Sequence, residues 1–232
     1  FISEQASSSL PSSFTLSGKT DMLATEIQKY TDEYSNVHDP ILHEVERSTH
    51  LHTIAPQMLS GRVQGAFLTL MTSLLQAQYV LEIGTFTGYG TICLARGLKP
   101  GTESKVVTIE ANPEYAFLIN KHLTMAGVSD RVESLFGKAQ ELLSQRTETW
   151  DLVFIDANKQ EYAEYYEAII DHVRPGGLIL SDNVLWSGKV VYDRSDVDAR
   201  VIHKYNEMLF KDPRVEVLVL PIRDGLSVAR RV

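Results

Sequence analysis

The chain has 232 residues, of which 44% are hydrophobic and 22% are charged, the usage of an ordinary globular protein. A formal net charge of −8 excludes the basic footprint of a protein that binds nucleic acid or an anionic membrane surface, and no apolar run approaches the roughly 20 residues of a membrane span. The single cysteine, Cys93, excludes an internal disulfide and favours a reducing, cytoplasmic compartment.

Two segments precede the first predicted strand. Residues 1–20 are Ser-rich and lack the basic and then apolar order of a signal peptide, so we expect a leader that is disordered or was added for expression. Residues 21–76 contain amphipathic patterns and are predicted to be helices at the start of a single domain over residues 21–232.

Seven short apolar runs alternate with helical patterns and are predicted to be strands. Several are apolar almost throughout, as strands buried on both faces are. The alternation predicts an α/β fold with a doubly wound, mostly parallel sheet. Because residues 222–225 are too few for a parallel crossover, the last two runs are predicted to form an antiparallel hairpin. The predicted strands are residues 79–84, 105–110, 131–137, 150–157, 178–183, 215–221 and 226–232.

Three helical patterns accompany these strands, one before the first strand and two between later strands. Apolar residues recur at helical spacing from Val63 to Leu75, from Tyr115 to Leu123 and from Tyr162 to Val173. Gly127 is placed to end the second helix, and the run Pro175-Gly176-Gly177 is placed to stop the third. The tyrosines of the third pattern are interpreted as core filler rather than as a ligand cage.

A glycine-containing turn follows the first predicted strand. Gly84, Gly88 and Gly90 would let a ligand approach the backbone where the strand turns into a helix. Their spacing is not G-x-G-x-x-G, which counts against a dinucleotide. Glu110 ends the second strand, where an acidic side chain can accept hydrogen bonds from both ribose hydroxyls. The pattern suits any adenosine-bearing cofactor; a tight turn with a solvated glutamate is the alternative interpretation.

Acidic side chains end two further strands. Asp156 ends the fourth strand, and Asp182 with Asn183 ends the fifth. Neighbouring strands lie about 4.8 Å apart, so these side chains can converge. Two carboxylates and an amide oxygen are hard ligands that suit Mg²⁺, Mn²⁺ or Ca²⁺ rather than Zn²⁺. A lone aspartate at a strand end is usually a cap, but two such ends favour a metal site.

Taken in order, these motifs resemble those of the cation-dependent O-methyltransferases, the family of caffeoyl-CoA and catechol O-methyltransferases. The resemblance runs from about Leu51 to Val232 and rests on residues 81–89, 155–159, 181–188 and 220–226. It implies a Rossmann-like methyltransferase fold, S-adenosylmethionine as cofactor, a divalent cation and an aromatic diol as acceptor. Together with the amphipathic segments before residue 60, it also implies a homodimer.

The resemblance implies roles for individual residues. Asp156, Asp182 and Asn183 would bind the metal ion. Lys159 would be the catalytic base, beside Asp156, while Trp186 and Asp224 would face the substrate. A core position for Trp186 and a solvated loop position for Lys159 are the alternatives. The residues around S-adenosylmethionine would be Ser60, Glu82, Gly84, Thr85, Gly90, Glu110, Ala139 and Asp156.

Three positions depart from the family pattern. Gly90 stands where the family often has serine, so one side-chain contact to the carboxylate of the cofactor is missing. Asn158 stands where aspartate is frequent, and Ser187 stands where plant members often have asparagine. The last departure argues against a plant-type phenylpropanoyl-CoA substrate.

The predicted function is therefore transfer of a methyl group from S-adenosylmethionine to one hydroxyl of a catechol-like small molecule. An NAD-linked oxidoreductase is one alternative, and the glycine spacing opposes it. A non-catalytic adenosine-binding module is another, and the presence of Lys159 beside the acids at 156 and 182 opposes it, because a pure binder needs no base beside a metal ion.

Overall fold

The computed structural model divides into two compact units, Phe1–Asn36 and Val37–Val232. In the first unit the described residues include a helical stretch in which the rings of Tyr30 and Tyr34 stack with centroids 4.5 Å apart. The predicted leader, residues 1–20, lies outside the described residues, so it stays a prediction. The structure describes residues 26–27, 29–35, 39–101, 103–193 and 195–232.

The second unit contains a seven-stranded sheet with the order β3-β2-β1-β4-β5-β7-β6. Strands β1 to β5 pair in parallel, whereas β7 is antiparallel to both of its neighbours. The predicted doubly wound sheet with an antiparallel C-terminal hairpin is confirmed. The strands are β1 (Tyr79–Ile83), β2 (Lys105–Glu110), β3 (Val132–Phe136), β4 (Trp150–Ile155), β5 (Val173–Asp182), β6 (Val215–Leu220) and β7 (Leu226–Arg231).

Helices cover both faces of this sheet. Alternate residues of each central strand face opposite clusters, so that Leu81 and Ile83 join one hydrophobic core and Val80 joins the other. No helix in the described ranges is long and apolar enough to cross a membrane. The α-helices of this unit are α1 (Pro40–His52), α2 (Arg62–Leu74), α3 (Tyr89–Gly97), α4 (Ala116–Ala126), α5 (Ala139–Leu143), α6 (Tyr162–Ile169), α7 (Lys189–Tyr192) and α8 (Val197–Lys211).

The buried face of α2 differs from the apolar pattern in its sequence. The helix lies where predicted, but its fully buried positions include the polar Gln64 and Thr72, which are eight residues apart with Leu68 midway between them. Leu70 and Leu74 are instead 53% and 69% exposed. A polar side chain reaches such a position only with hydrogen-bond partners, and the partners of Gln64 lie in the candidate active site described below.

Strand β5 begins earlier than the sequence pattern indicates. Helix α6 ends at Ile169 and a short 3₁₀ turn follows, so that Val173 already pairs with Trp150 of β4. The predicted strand started at residue 178, after Pro175-Gly176-Gly177. Pairing instead continues through a register irregularity before Leu178. Proline is tolerated there because a bulge does not need every ladder hydrogen bond.

Candidate active site

A cavity of about 760 Å³ opens at the carboxyl ends of β1, β2, β4 and β5. Open α/β sheets bind ligands at this edge, because the glycine turns and strand-end side chains converge there. The cavity brings together nearly all the site residues predicted from the sequence: Ser60, Glu82, Gly84, Thr85, Gly90, Glu110, Ala139, Asp156, Lys159, Asp182, Asn183 and Trp186. Asp224, which was predicted to face the substrate, is not among the described residues that line the cavity. Arg223 does line it and was not predicted from the sequence.

The turn after β1 lies directly against β4. Gly84 has φ +102°, and its amide donates to Ile109 O at 2.9 Å. A Cβ at this position would collide with the carbonyl oxygen of Asp156. Only glycine therefore permits both the backbone conformation and the close approach of the two strand ends.

Glu110 ends β2 with its carboxylate held by the backbone. Oε2 accepts from Phe86 N at 2.7 Å and Oε1 accepts from Asn112 N at 2.8 Å. Burial raises the pKa of Glu110, and these backbone hydrogen bonds oppose the shift. Each carboxylate oxygen can accept more than one hydrogen bond, so the side chain keeps acceptor capacity toward the cavity that it lines.

Glu82 is an almost completely buried acid of the cavity wall. Its Oε2 accepts from Thr108 Oγ1 at 2.6 Å and from Thr91 Oγ1. Burial raises the pKa of Glu82 to about 8, against the opposing effect of the two threonine hydroxyls. A Cβ at Gly90 would lie 2.6 Å from Glu82 Oε1. The glycine at this departure from the family pattern thus leaves the room that the Glu82 carboxyl occupies.

Lys159 is held at the end of β4 by two partners. Its Nζ donates to Asp156 Oδ1 at 3.0 Å and to the hydroxyl of Tyr162 at 2.6 Å. The Tyr162 hydroxyl in turn donates to Asp182 O at 3.0 Å, and its burial raises its pKa well above the usual value. The lysine side chain is only 12% exposed. Tyr162, which was interpreted from the sequence as a core residue, therefore also orients Lys159. The one sequence feature that could have indicated this contact is that Tyr162 follows Lys159 by three residues.

Asp182 is almost completely buried at the end of β5. Its Oδ1 accepts from Asn183 N at 2.8 Å, and its Oδ2 accepts from Gln64 Nε2 at 2.8 Å. Burial raises the pKa of Asp182, and the negative charge of Asp156 raises it further. A cation between the two acids would relieve this repulsion.

The donor set at this point fits a hard divalent cation. Asp156, Asp182 and Asn183 all line the same cavity and supply two carboxylates and one amide oxygen. No group of three or more His, Cys, Asp or Glu side chains in the described part of the chain could hold a metal ion. A metal site here therefore depends on the amide of Asn183 and on non-protein ligands, as Mg²⁺ sites commonly do.

The loop after β5 forms another wall and has a strained backbone. Asn183, Trp186 and Ser187 have φ values of +60°, +49° and +53°, which are uncommon for residues other than glycine. The turn between β6 and β7 holds this loop: Leu185 N donates to Asp224 O at 2.9 Å, and Ser187 N donates to Asp224 Oδ1. Asp224 thus contacts the loop that carries Trp186 rather than the cavity itself.

Comparisons with known proteins agree with this arrangement. An O-methyltransferase family model matches residues 32–232. Caffeoyl-CoA O-methyltransferase 5 of Nicotiana tabacum is 34% identical over 188 residues, which cover 75% of this chain and 78% of that protein. Catechol O-methyltransferase of Niastella koreensis is 36% identical over 176 residues, 72% of this chain and 79% of that protein.

Solved structures are similar over most of the chain. The O-methyltransferase from Bacillus cereus in complex with SAH has a TM-score of 0.82 and 32% identity, covering 89% of this chain and 97% of that chain. The O-methyltransferase TomG from Streptomyces achromogenes in complex with SAM has a TM-score of 0.81 and 31% identity, covering 89% and 96%.

Proposed function

The chain belongs to this O-methyltransferase family, and from that premise we propose that it methylates one hydroxyl of a catechol-like, vicinal dihydroxy aromatic compound with the help of a divalent cation. It is an S-adenosylmethionine-dependent O-methyltransferase, so the acceptor and the metal requirement are the parts that need testing. The observation that supports them is the meeting of Asp156, Asp182 and Asn183 beside Lys159 in one cavity.

The cofactor would lie along the β1 and β2 ends of the cavity. Glu110 would accept hydrogen bonds from the ribose hydroxyls, because its carboxylate is already oriented by two backbone amides. With Gly90 in place of serine, the methionine carboxylate would depend on backbone amides, because the Thr91 hydroxyl donates to Glu82 and Thr91 does not line the cavity. The other proposed contacts are Ser60, Glu82, Gly84, Thr85, Ala139 and Asp156.

The acceptor would lie at the β4 and β5 ends, against Trp186. Asp156, Asp182 and Asn183 would hold Mg²⁺, or alternatively Mn²⁺ or Ca²⁺, and their small number leaves room for both oxygens of a diol. When bound, a divalent cation supplies positive charge that lowers the pKa of a coordinated hydroxyl. To act as a base, Lys159 must be a neutral amine, whose two N–H groups would be used by Asp156 and Tyr162 and whose lone pair would remain for the proton of the acceptor hydroxyl.

Lys159 would act as the base at the acceptor hydroxyl. Asp156 and Tyr162 fix its Nζ, so the group needs no reordering before the proton moves. Positioned proton transfer of this kind contributes typically about 10²–10⁴-fold. Family membership does not favour the NAD-linked oxidoreductase or the non-catalytic adenosine-binding module considered as alternatives.

Two further features belong to the proposal. A homodimer is supported by the exposed leucines of α2, Leu70 and Leu74, which lie one turn apart on the same helix face and would be covered by a second copy. Light scattering that shows a stable monomer at micromolar concentration would contradict it. A reducing, cytoplasmic location is proposed from the single cysteine alone.

The deciding experiment is a methylation assay with and without chelation. We expect EDTA to abolish methylation of catechols, added Mg²⁺ or Mn²⁺ to restore it, and S-adenosylhomocysteine binding to survive chelation, because Glu110 lies outside the acid cluster. A monohydroxylated analogue of a good diol acceptor should be methylated poorly. Full activity in metal-free protein would contradict the proposal.

A pair of isosteric variants localises the effect. Asp182→Asn removes one proposed ligand charge, whereas Asp198→Asn removes an acid that lines the same cavity outside the proposed ligand set. We expect Asp182→Asn to lose metal-stimulated turnover and Asp198→Asn to keep it. If both variants behave alike, the loss reports the electrostatics of the cavity and not a ligand.

A further inference from the structure

Arg223 adopts a backbone conformation that glycine would adopt more easily. It lies in the turn between β6 and β7 and has φ +51°. A side chain in the left-handed region is strained, and such residues persist where the surrounding structure over-determines them. The contacts of its guanidinium group hold the residue in this conformation.

One part of the guanidinium group binds the backbone that precedes α2. Nη2 donates to Leu59 O at 2.9 Å, and Nη1 donates to Ser60 O. Leu59 and Ser60 both line the cavity. Gly61 follows them with φ +77°, and a Cβ there would lie 3.7 Å from Arg223 Nε. Arg223 therefore covers this segment and ties it to the β6–β7 turn.

The other contact leads to the acid cluster. Arg223 Nη1 donates to Gln64 Oε1 at 3.1 Å, and Gln64 Nε2 donates to Asp182 Oδ2 at 2.8 Å. Arg223 Nη1 also lies 3.9 Å from Asp182 Oδ2. Gln64 is fully buried, and its amide oxygen and nitrogen each have a partner. These contacts fix the orientation of the Gln64 amide. The Gln64 amide in turn fixes the orientation of the Asp182 carboxylate.

The same turn also forms hydrogen bonds with the loop after β5, which is the cavity wall on the proposed acceptor side. Val184 N donates to Gly225 O at 3.1 Å, next to the contacts of Asp224 with the loop after β5. Residues 223 to 225 therefore contact both walls of the cavity. Arg223 is the member of the turn whose side chain reaches the wall formed by Leu59 and Ser60.

We propose that Arg223 is a positioning residue of the methyl transfer, holding the Leu59–Ser60 segment against the bound cofactor and, through Gln64, orienting Asp182. The first role rests on the proposed contact of Ser60 with S-adenosylmethionine and needs no metal ion. The second rests on the proposed function, because it assumes that Asp182 is a metal ligand. The two roles separate experimentally, since they use different contacts of one side chain.

Arg223→Gly tests the first role with little disturbance of the backbone, because glycine favours the observed φ. The matched control is Gln76→Gly, which removes another side chain from a left-handed residue, φ +50°, at the exposed end of α2. We expect the Kd of S-adenosylhomocysteine, measured by calorimetry in metal-free buffer, to rise roughly tenfold in Arg223→Gly and to stay within about twofold in the control.

Thermal unfolding of the cofactor-free variants separates positioning from general stability. The Tm of Arg223→Gly should fall, because Leu59 O, Ser60 O and Gln64 Oε1 lose a partner, but calorimetry well below that Tm still measures binding to folded protein. A merely structural role would lower Tm and leave the Kd unchanged. Arg223→Lys should restore part of the affinity, because an ammonium group reaches a carbonyl but cannot make the forked contact. An unchanged Kd in Arg223→Gly overturns the proposal.

Gln64→Met tests the second role, because it interrupts the path to Asp182 and leaves Leu59 and Ser60 bound. We expect Mn²⁺ affinity, followed by electron paramagnetic resonance of the free ion, to fall roughly tenfold while the Kd of S-adenosylhomocysteine stays within about twofold. Equal losses of cofactor affinity in Gln64→Met and Arg223→Gly would overturn the division of roles. If the parent binds no Mn²⁺ and methylates no catechol, the proposed function fails, while the calorimetry still decides the first role.

Discussion

The carboxylate of Glu110 offers a sharp test of how the cofactor is held. Glu110→Ala removes the acceptor of two backbone amides, Phe86 N at 2.7 Å and Asn112 N at 2.8 Å, and also the proposed acceptor of the ribose hydroxyls. Glu114→Ala is a matched control, because Glu114 is an exposed acid four residues later and only its backbone amide has a contact with Asn112.

The expected magnitude follows from these contacts. Hydrogen bonds to a charged group contribute about 1.5–3 kcal/mol, so loss of the ribose contacts should raise the Kd of S-adenosylhomocysteine roughly 10- to 150-fold. The two backbone amides also lose their partner, and leaving such donors unsatisfied should lower the free energy of unfolding of the cofactor-free protein by about 1–3 kcal/mol. The control should change neither quantity.

Calorimetry and thermal unfolding distinguish the two effects. Calorimetry at a temperature well below the Tm of both variants measures binding to folded protein, so a weaker Kd there reports the missing contact. A folded Glu110→Ala protein with the parental Kd would refute the assignment of Glu110 to the ribose. The role of this carboxylate would then be to hold the surrounding backbone amides, among them those of Phe86 and Asn112.

Two buried groups predict opposite effects of pH on the stability of the cofactor-free protein. Burial raises the pKa of Glu82 to about 8 from 4.5, so its contribution is complete below pH 4.5 and is lost as the pH rises to about 8. Thermal unfolding of Glu82→Gln across this range should show a flatter decline, and an unchanged decline would contradict the assignment. His122 Nδ1 donates to Thr87 O at 2.8 Å, and His122 Nε2 accepts from Ser48 Oγ at 2.9 Å. Burial lowers the pKa of His122 from 6.5. Its contribution is therefore complete above pH 6.5 and is lost as the pH falls through the lowered value, a loss that His122→Gln should remove.

The site residues at strand ends could be predicted from the sequence because the position of each one depends only on where its own strand ends. A short apolar run ends at a particular residue, and in a parallel sheet all such ends lie at one edge. Glu110, Asp156 and Asp182 reach the cavity for this reason. The antiparallel hairpin was predictable in the same local way, from the length of the connection between β6 and β7.

The residues that orient those strand-end groups were decided only by the tertiary structure. Gln64 and Asp182 are 118 residues apart, and Arg223 and Ser60 are 163 residues apart. No periodicity in the sequence of α2 marks Gln64 as buried, since its burial depends on which helix face meets the sheet. The early start of β5 likewise depends on the pairing of Val173 with Trp150 across the sheet. Hydrogen-bond partners are chosen by strand register and by helix rotation against the core, and both are settled by packing over the whole unit rather than by neighbouring residues.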